Sequence, residues 1–188
     1  MTEPRSKGGR SRGPHHLALH VAASLDGKIA RPDGSVDDWL AAEYPAEDFG
    51  FDAFFAGVDA ILMGRATYDA VRRRGDWPCL GKPTTVVTAR PPPDPPPGVE
   101  ARSGEMAGVA AEFEGRGHRR VWIEGGGRVI RSMIAIGSST CSNRPWPRPS
   151  WAGACRPFPQ GTDGLALRLV KREAKAKGAL HLAYERAA

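Results

Sequence analysis

Ile61-Leu62-Met63-Gly64-Arg65-Ala66-Thr67-Tyr68 and Val121-Trp122-Ile123-Glu124-Gly125-Gly126-Gly127-Arg128-Val129 follow one plan. An apolar strand breaks at glycine and a helix begins, with an arginine in its first turn. The first turn of a helix exposes N–H groups without partners and carries partial positive charge, and glycine lets an anion approach the backbone closely. One such turn is an ordinary way to start a helix. Two in a short chain point to a ligand gripped at more than one phosphate, and a dinucleotide fits that description. Gly125-Gly126-Gly127 is not the G-x-G-x-x-G fingerprint, so the standard dinucleotide-binding fold lacks its motif here.

Working outward, Leu17, Leu19 and Val21 alternate with Ala18, His20 and Ala22 as an opening strand. It runs into Ser24-Leu25-Asp26-Gly27-Lys28-Ile29-Ala30 and a polar loop through Pro32-Asp33-Gly34-Ser35. Phe51, Phe54 and Phe55 recur at helical spacing over 47–56, after a start with acids in the first turn. The spacing predicts strands over 58–63, 84–88 and 120–124, and helices over 67–74, 106–114 and 129–136. Pro91-Pro92-Pro93-Asp94-Pro95-Pro96-Pro97 is a stiff surface connection. Leu165, Leu167 and Leu169, then Leu180, Leu182 and Tyr184, alternate on either side of a Lys177-Gly178 turn, as in an antiparallel hairpin. The expected fold is three-layer α/β: a mostly parallel central sheet with a C-terminal antiparallel hairpin.

Composition bounds the function. The 188 residues allow one α/β domain, expected over 15–188, preceded by a basic tail over 1–14 that reads as disordered. The tail lacks an apolar stretch and is not a secretory signal, and no apolar run is long enough to cross a bilayer. The net charge of +6 resolves into +3 from the tail (Arg5, Lys7, Arg10 and Arg12 against Glu3) and +3 from Arg144, Arg148 and Arg156. The rest sums to zero, so the body offers no overall basic stripe for nucleic acid. Cys79, Cys141 and Cys155 are odd in number and, like the five histidines, lack metal-ligand spacing. No metal is expected, and a reducing cytoplasm is the expected compartment.

Ser24 to Ala30, Met63-Gly64-Arg65-Ala66-Thr67-Tyr68 and Glu124-Gly125-Gly126-Gly127-Arg128-Val129-Ile130 together resemble the signature segments of the dihydrofolate-reductase-like superfamily. The branch they resemble is that of stand-alone proteins similar to the C-terminal reductase domain of the bifunctional deaminase-reductase of riboflavin biosynthesis. The resemblance runs from about Leu17 to Ile136 and resumes from Leu165 to Arg186. It implies an NADPH-dependent oxidoreductase that passes hydride to a C=N or C=O carbon of a small heterocyclic substrate. The first expectation is a 5-amino-6-(5-phosphoribosylamino)uracil-type compound, and the alternative a pterin or dihydrofolate. A competing reading is a non-catalytic nucleotide-binding module or a damaged protein. A homodimer is among the expected assemblies.

By the same resemblance, Gly64, Arg65, Ala66 and Thr67, with Gly125, Gly126, Gly127 and Arg128, would hold the phosphates of NADPH. Thr88 and Arg90 would lie on the adenosine side, and Ala23 beside the cofactor. Ser24, Asp37 and Trp39 would approach substrate, with Asp26 and Asp48 as catalytic acids. Asp48 lies in the first turn of a predicted helix, where an acid also serves as a dipole partner.

Between Gly137 and Pro159 both the resemblance and all periodicity vanish, and five of the seventeen prolines fall there. The family would carry an apolar strand at this position. Back-translation of 137–147 into GC-rich codons, with one nucleotide inserted after Gly137, reads G-L-V-D-V-L-E-P-A-V-A-P, a helix end followed by a strand. We read 137–159 as a compensated frameshift.

Overall fold

The computed structural model describes residues 17–24, 27–29, 49–79, 81–136, 140–146 and 166–186. The strands are β1 (Leu17–Ser24), β2 (Ala60–Gly64), β3 (Thr84–Val87), β4 (Val99–Arg102), β5 (Val121–Gly125), β6 (Thr140–Trp146), β7 (Leu167–Ala174) and β8 (Leu180–Arg186). The helices are α1 (Phe51–Ala56), α2 (Arg65–Arg72), α3 (Met106–Gly115) and α4 (Gly127–Ala135). Among the described residues these eight strands form one sheet in the order β4-β3-β2-β5-β1-β6-β8-β7. From β4 to β6 every neighbouring pair is parallel, whereas β8 runs antiparallel to both β6 and β7. The expected fold class is therefore the observed one.

The central strands are apolar on both faces because both faces are covered. On one side Leu62, Val121 and Ile123 pack with Val109 and Phe113 of α3 and Val129, Ile130 and Met133 of α4. On the other, Ile61, Met63 and Trp122 pack with Phe54 of α1 and Tyr68 of α2. The residues of β5 thus alternate between the two layers, Val121 and Ile123 to one and Trp122 to the other. Among the described residues no helix is long and apolar enough to cross a membrane.

Two strands were not foreseen. β4 follows the proline-rich connection and pairs with β3 in register Thr84↔Val99. β6 falls where the sequence shows no alternation, yet it pairs with β1 from Ala18↔Thr140 to Ser24↔Trp146. Backbone groups make the ladder, so a strand flanked by β1 and β8 forms without an apolar side-chain pattern. Pro145, opposite Ala23, nevertheless contributes no N–H to it. The remainder of the suspected frameshifted segment and the basic tail lie outside the described residues.

Smaller differences concern boundaries. The helix expected from Thr67 begins at Arg65, and the one expected from Val129 begins at Gly127. Both helices therefore start directly at their glycines. The hairpin turn is made by Lys177 and Gly178, both with positive φ, 52° and 78°.

Candidate functional site

In a parallel sheet the carboxyl ends of the strands share one rim, and ligands bind in the crevice there. β2 ends at Gly64 and β5 at Gly125, each leading straight into a helix. Neither α2 nor α4 has a side-chain hydrogen bond capping its N-terminus. Their first-turn N–H groups therefore remain available to an anion.

The two turns touch each other through Thr67. A Cβ placed on Gly125 would lie 3.3 Å from Thr67 Oγ1, and one on Gly126 would lie 3.7 Å from it. A Cβ on Gly64 would meet Val129 Cγ2 at 3.3 Å. Gly126 also adopts φ 74°, a left-handed conformation that costs little only without a side chain. These glycines form a single cradle with Thr67 on its wall. Gly127 is the first residue of α4, and the side chains of Ala66 and Arg128 in the opening turns are exposed.

A second group of expected residues converges beside the cradle. Arg65 Nε donates to both carboxylate oxygens of Asp69, at 2.8 and 3.0 Å, and its Nη1 donates to the Arg90 carbonyl at 2.9 Å. Thr88 Oγ1 donates to the same carbonyl at 2.8 Å. Arg65, Thr88 and Arg90 are thus locked together across the exits of β2 and β3, with the Arg90 side chain exposed.

On β1, Ala23 and Ser24 are buried at the carboxyl end. Ser24 closes a tight loop: Lys28 N–H donates to Ser24 Oγ at 2.9 Å, and Gly27 N–H to the Ser24 carbonyl at 2.8 Å. The remaining expected site residues, Asp26, Asp37, Trp39 and Asp48, lie outside the described residues.

The sequence reading missed Glu124. β2 and β5 pair as Leu62↔Ile123 and then Met63↔Gly125, which leaves Glu124 as the extra residue of a bulge. Bulges re-aim side chains and recur beside active sites. The Glu124 carboxyl is partly buried, with Oε2 3.9 Å from Cys79 Sγ. Burial raises its pKa to about 7, opposed by the positive charge of Arg74. Burial, followed by the Glu124 charge, pushes the Cys79 thiol up to about 12, so the cysteine stays protonated. The available signal was an ionisable residue ending the otherwise apolar run Val121-Trp122-Ile123, immediately before three glycines. Among the described residues no group of His, Cys, Asp and Glu is arranged to hold a metal.

Comparison with known proteins agrees with this geometry. The family model of the RibD C-terminal domain matches residues 15–99. The uncharacterized protein YwjB of Bacillus subtilis is 30% identical over 117 residues, which is 62% of this chain and 67% of that protein. A protein assigned to riboflavin biosynthesis in Shewanella sp. PV-4 superposes with a TM-score of 0.81 at 26% identity, covering 92% of this chain and 99% of that one. Dihydrofolate reductase of Enterococcus faecalis, complexed with NADP(H), superposes with a TM-score of 0.66 at 18% identity, covering 93% and 98%. With the sheet of a dihydrofolate reductase and the two glycine turns joined at Thr67, the chain belongs to the family of the RibD C-terminal domain.

Proposed function

We propose that this protein is an NADPH-dependent reductase that passes hydride to a C=N or C=O carbon of a small heterocyclic substrate. The carrying observation is the contact of the two glycine turns at Thr67, which joins two uncapped helix starts into one anion cradle. The residues fit a dinucleotide phosphate. A side chain on Gly64 or Gly125 would crowd its neighbours at 3.3 Å, and both helix starts, one of them opening with Arg65, lack a side-chain cap, which leaves N–H donors for an anion.

Bound NADPH supplies the hydride; the chain supplies position and a proton. Gly64 to Thr67 and Gly125 to Arg128 hold the phosphates. Arg65, fixed by Asp69 and the Arg90 carbonyl, offers its remaining N–H groups to the extra phosphate that separates NADPH from NADH. Glu124, whose carboxyl titrates at about 7, is still partly protonated at neutral pH where an ordinary carboxylate is fully ionised. It stands one residue before the cradle, and we assign it proton delivery to the heteroatom of the C=N or C=O bond, whose carbon takes the hydride. Ser24, Asp37 and Trp39 keep the substrate-side roles implied by the family resemblance, and Asp26 and Asp48 those of catalytic acids. The substrate we propose first is a ribosylaminopyrimidine phosphate. The resemblance to riboflavin-pathway reductases and the Shewanella protein's assigned pathway support that choice.

A thermal-shift titration tests the cofactor claim. At a hundredfold excess over its dissociation constant a ligand stabilises a protein by about 2.7 kcal/mol. NADPH is expected to raise Tm, with a much smaller effect from NADH, and an unchanged Tm in millimolar NADPH sinks the reading. NADPH oxidation against a panel of pyrimidine ribosyl phosphates and pterins then ranks the substrates.

A further inference from the structure

Toward the amino-terminal ends of β1 and β5, away from the glycine turns, lies a cavity of about 350 Å³ that the reductase reading does not use. It opens over the start of β1 and over β8, beside α1. Its lining includes Ala53 and Phe54 of α1, His20 of β1, His181 and Ala183 of β8, and Arg120 just before β5.

The floor is aromatic. The His20 and Phe54 rings lie 4.8 Å apart between centroids, and the His20 and His181 rings 6.3 Å apart. The Arg120 guanidinium lies 5.0 Å above the Phe54 ring. It is held against the end of α1, where a Cβ on Gly57 would come within 2.9 Å of its Nη1. The Arg120 backbone N–H donates to Asp59 Oδ2 at 2.8 Å, but among the described residues its guanidinium forms no ion pair, whereas Glu185 in the same lining is neutralised by Arg168 at 2.6 Å. The walls thus combine flat ring faces with one cation lacking a counter-charge. Such a surface favours a planar apolar body that carries an anionic group, since a guanidinium forks onto a carboxylate and rings stack on rings.

We propose that this cavity is a second small-molecule site, taking a planar aromatic or heteroaromatic carboxylate with its anion on Arg120. Its volume lies within the range of sites that enclose small ligands.

Calorimetric titration with indole-3-carboxylate and with the uncharged indole-3-carboxamide tests the assignment. The carboxylate should bind about tenfold more tightly, as expected when a charge-assisted hydrogen bond is gained. Arg120→Gln should erase that preference, and Ala183→Phe, which fills the space, should weaken both ligands. NADPH affinity should be the same in all three proteins, and NADPH should not displace the carboxylate. If Arg120→Gln fails to melt cooperatively, Ala183→Phe carries the test alone. Absence of binding, equal binding of acid and amide, a preference that survives Arg120→Gln, undiminished binding in Ala183→Phe, or displacement by NADPH would each overturn the proposal.

Discussion

At the scale of single residues, Arg65 and Glu124 separate what a cofactor needs from what a reaction needs. Arg65 is held by Asp69, so part of its charge is already compensated before a phosphate arrives. Replacing Arg65 with Gln removes charge-assisted hydrogen bonds of about 1.5–3 kcal/mol. NADPH should then bind roughly 10- to 100-fold more weakly, with NADH little affected. Asp69→Asn should act in the opposite direction, tightening NADPH by a few-fold; fluorescence titration of the reduced cofactor reads both. Glu124 makes a pH prediction whose sign follows from its raised pKa. Its carboxyl titrates at about 7 in the fold against 4.5 ordinarily, so between those values the folded protein holds the extra proton. Stability is therefore greatest below about pH 4.5 as far as this group is concerned, and declines as pH rises through 7, by about 3 kcal/mol in all. Urea unfolding at pH 5 and pH 8 should show the decline, and Glu124→Gln should flatten it. The same substitution should lower kcat and abolish its fall above pH 7, while leaving NADPH affinity intact. Arg65 was legible in the sequence because it sits in the first turn of a helix behind glycine. Glu124 was not, because its role comes from a one-residue slip in strand pairing.

At the scale of elements, the two strand–glycine–helix units were readable because each is local. An apolar run, a glycine and a helix-forming stretch follow each other within nine residues or fewer. What could not be read was their contact, with Thr67 of one unit lying against Gly125 and Gly126 of the other. β6 presents the reverse case. Its position between β1 and β8 follows from topology, while its residues, Thr140-Cys141-Ser142-Asn143-Arg144-Pro145-Trp146, are poor material for a central strand. Our proposal for this element is the compensated frameshift. A frame-restored protein, carrying the apolar reading of 137–159, is expected to unfold at higher urea concentration than the present chain. It should also hold amide protons on β1 and β8 against exchange for longer. Equal stability of the two forms, together with resequencing that returns the present frame, would remove that explanation.

At the scale of the whole molecule, parallel strands place the ends of β1, β2, β3 and β5 on one rim, where every described cofactor candidate lies. The cavity beside Arg120 is at the other rim, so two ligands could be held without meeting. The sequence by itself determined the sheet's predominantly parallel character, the closing hairpin and the glycine turns. These follow from periodicity and backbone freedom within short windows. The family followed as well, because its three signature segments are each contiguous. Only the tertiary structure decided that the glycine turns form one cradle, that a bulge sets Glu124 beside Cys79, that 140–146 completes the sheet, and that Arg120 lines one cavity with His20 and His181. Those features join residues far apart along the chain. Their energies depend on packing and burial, which no local pattern encodes.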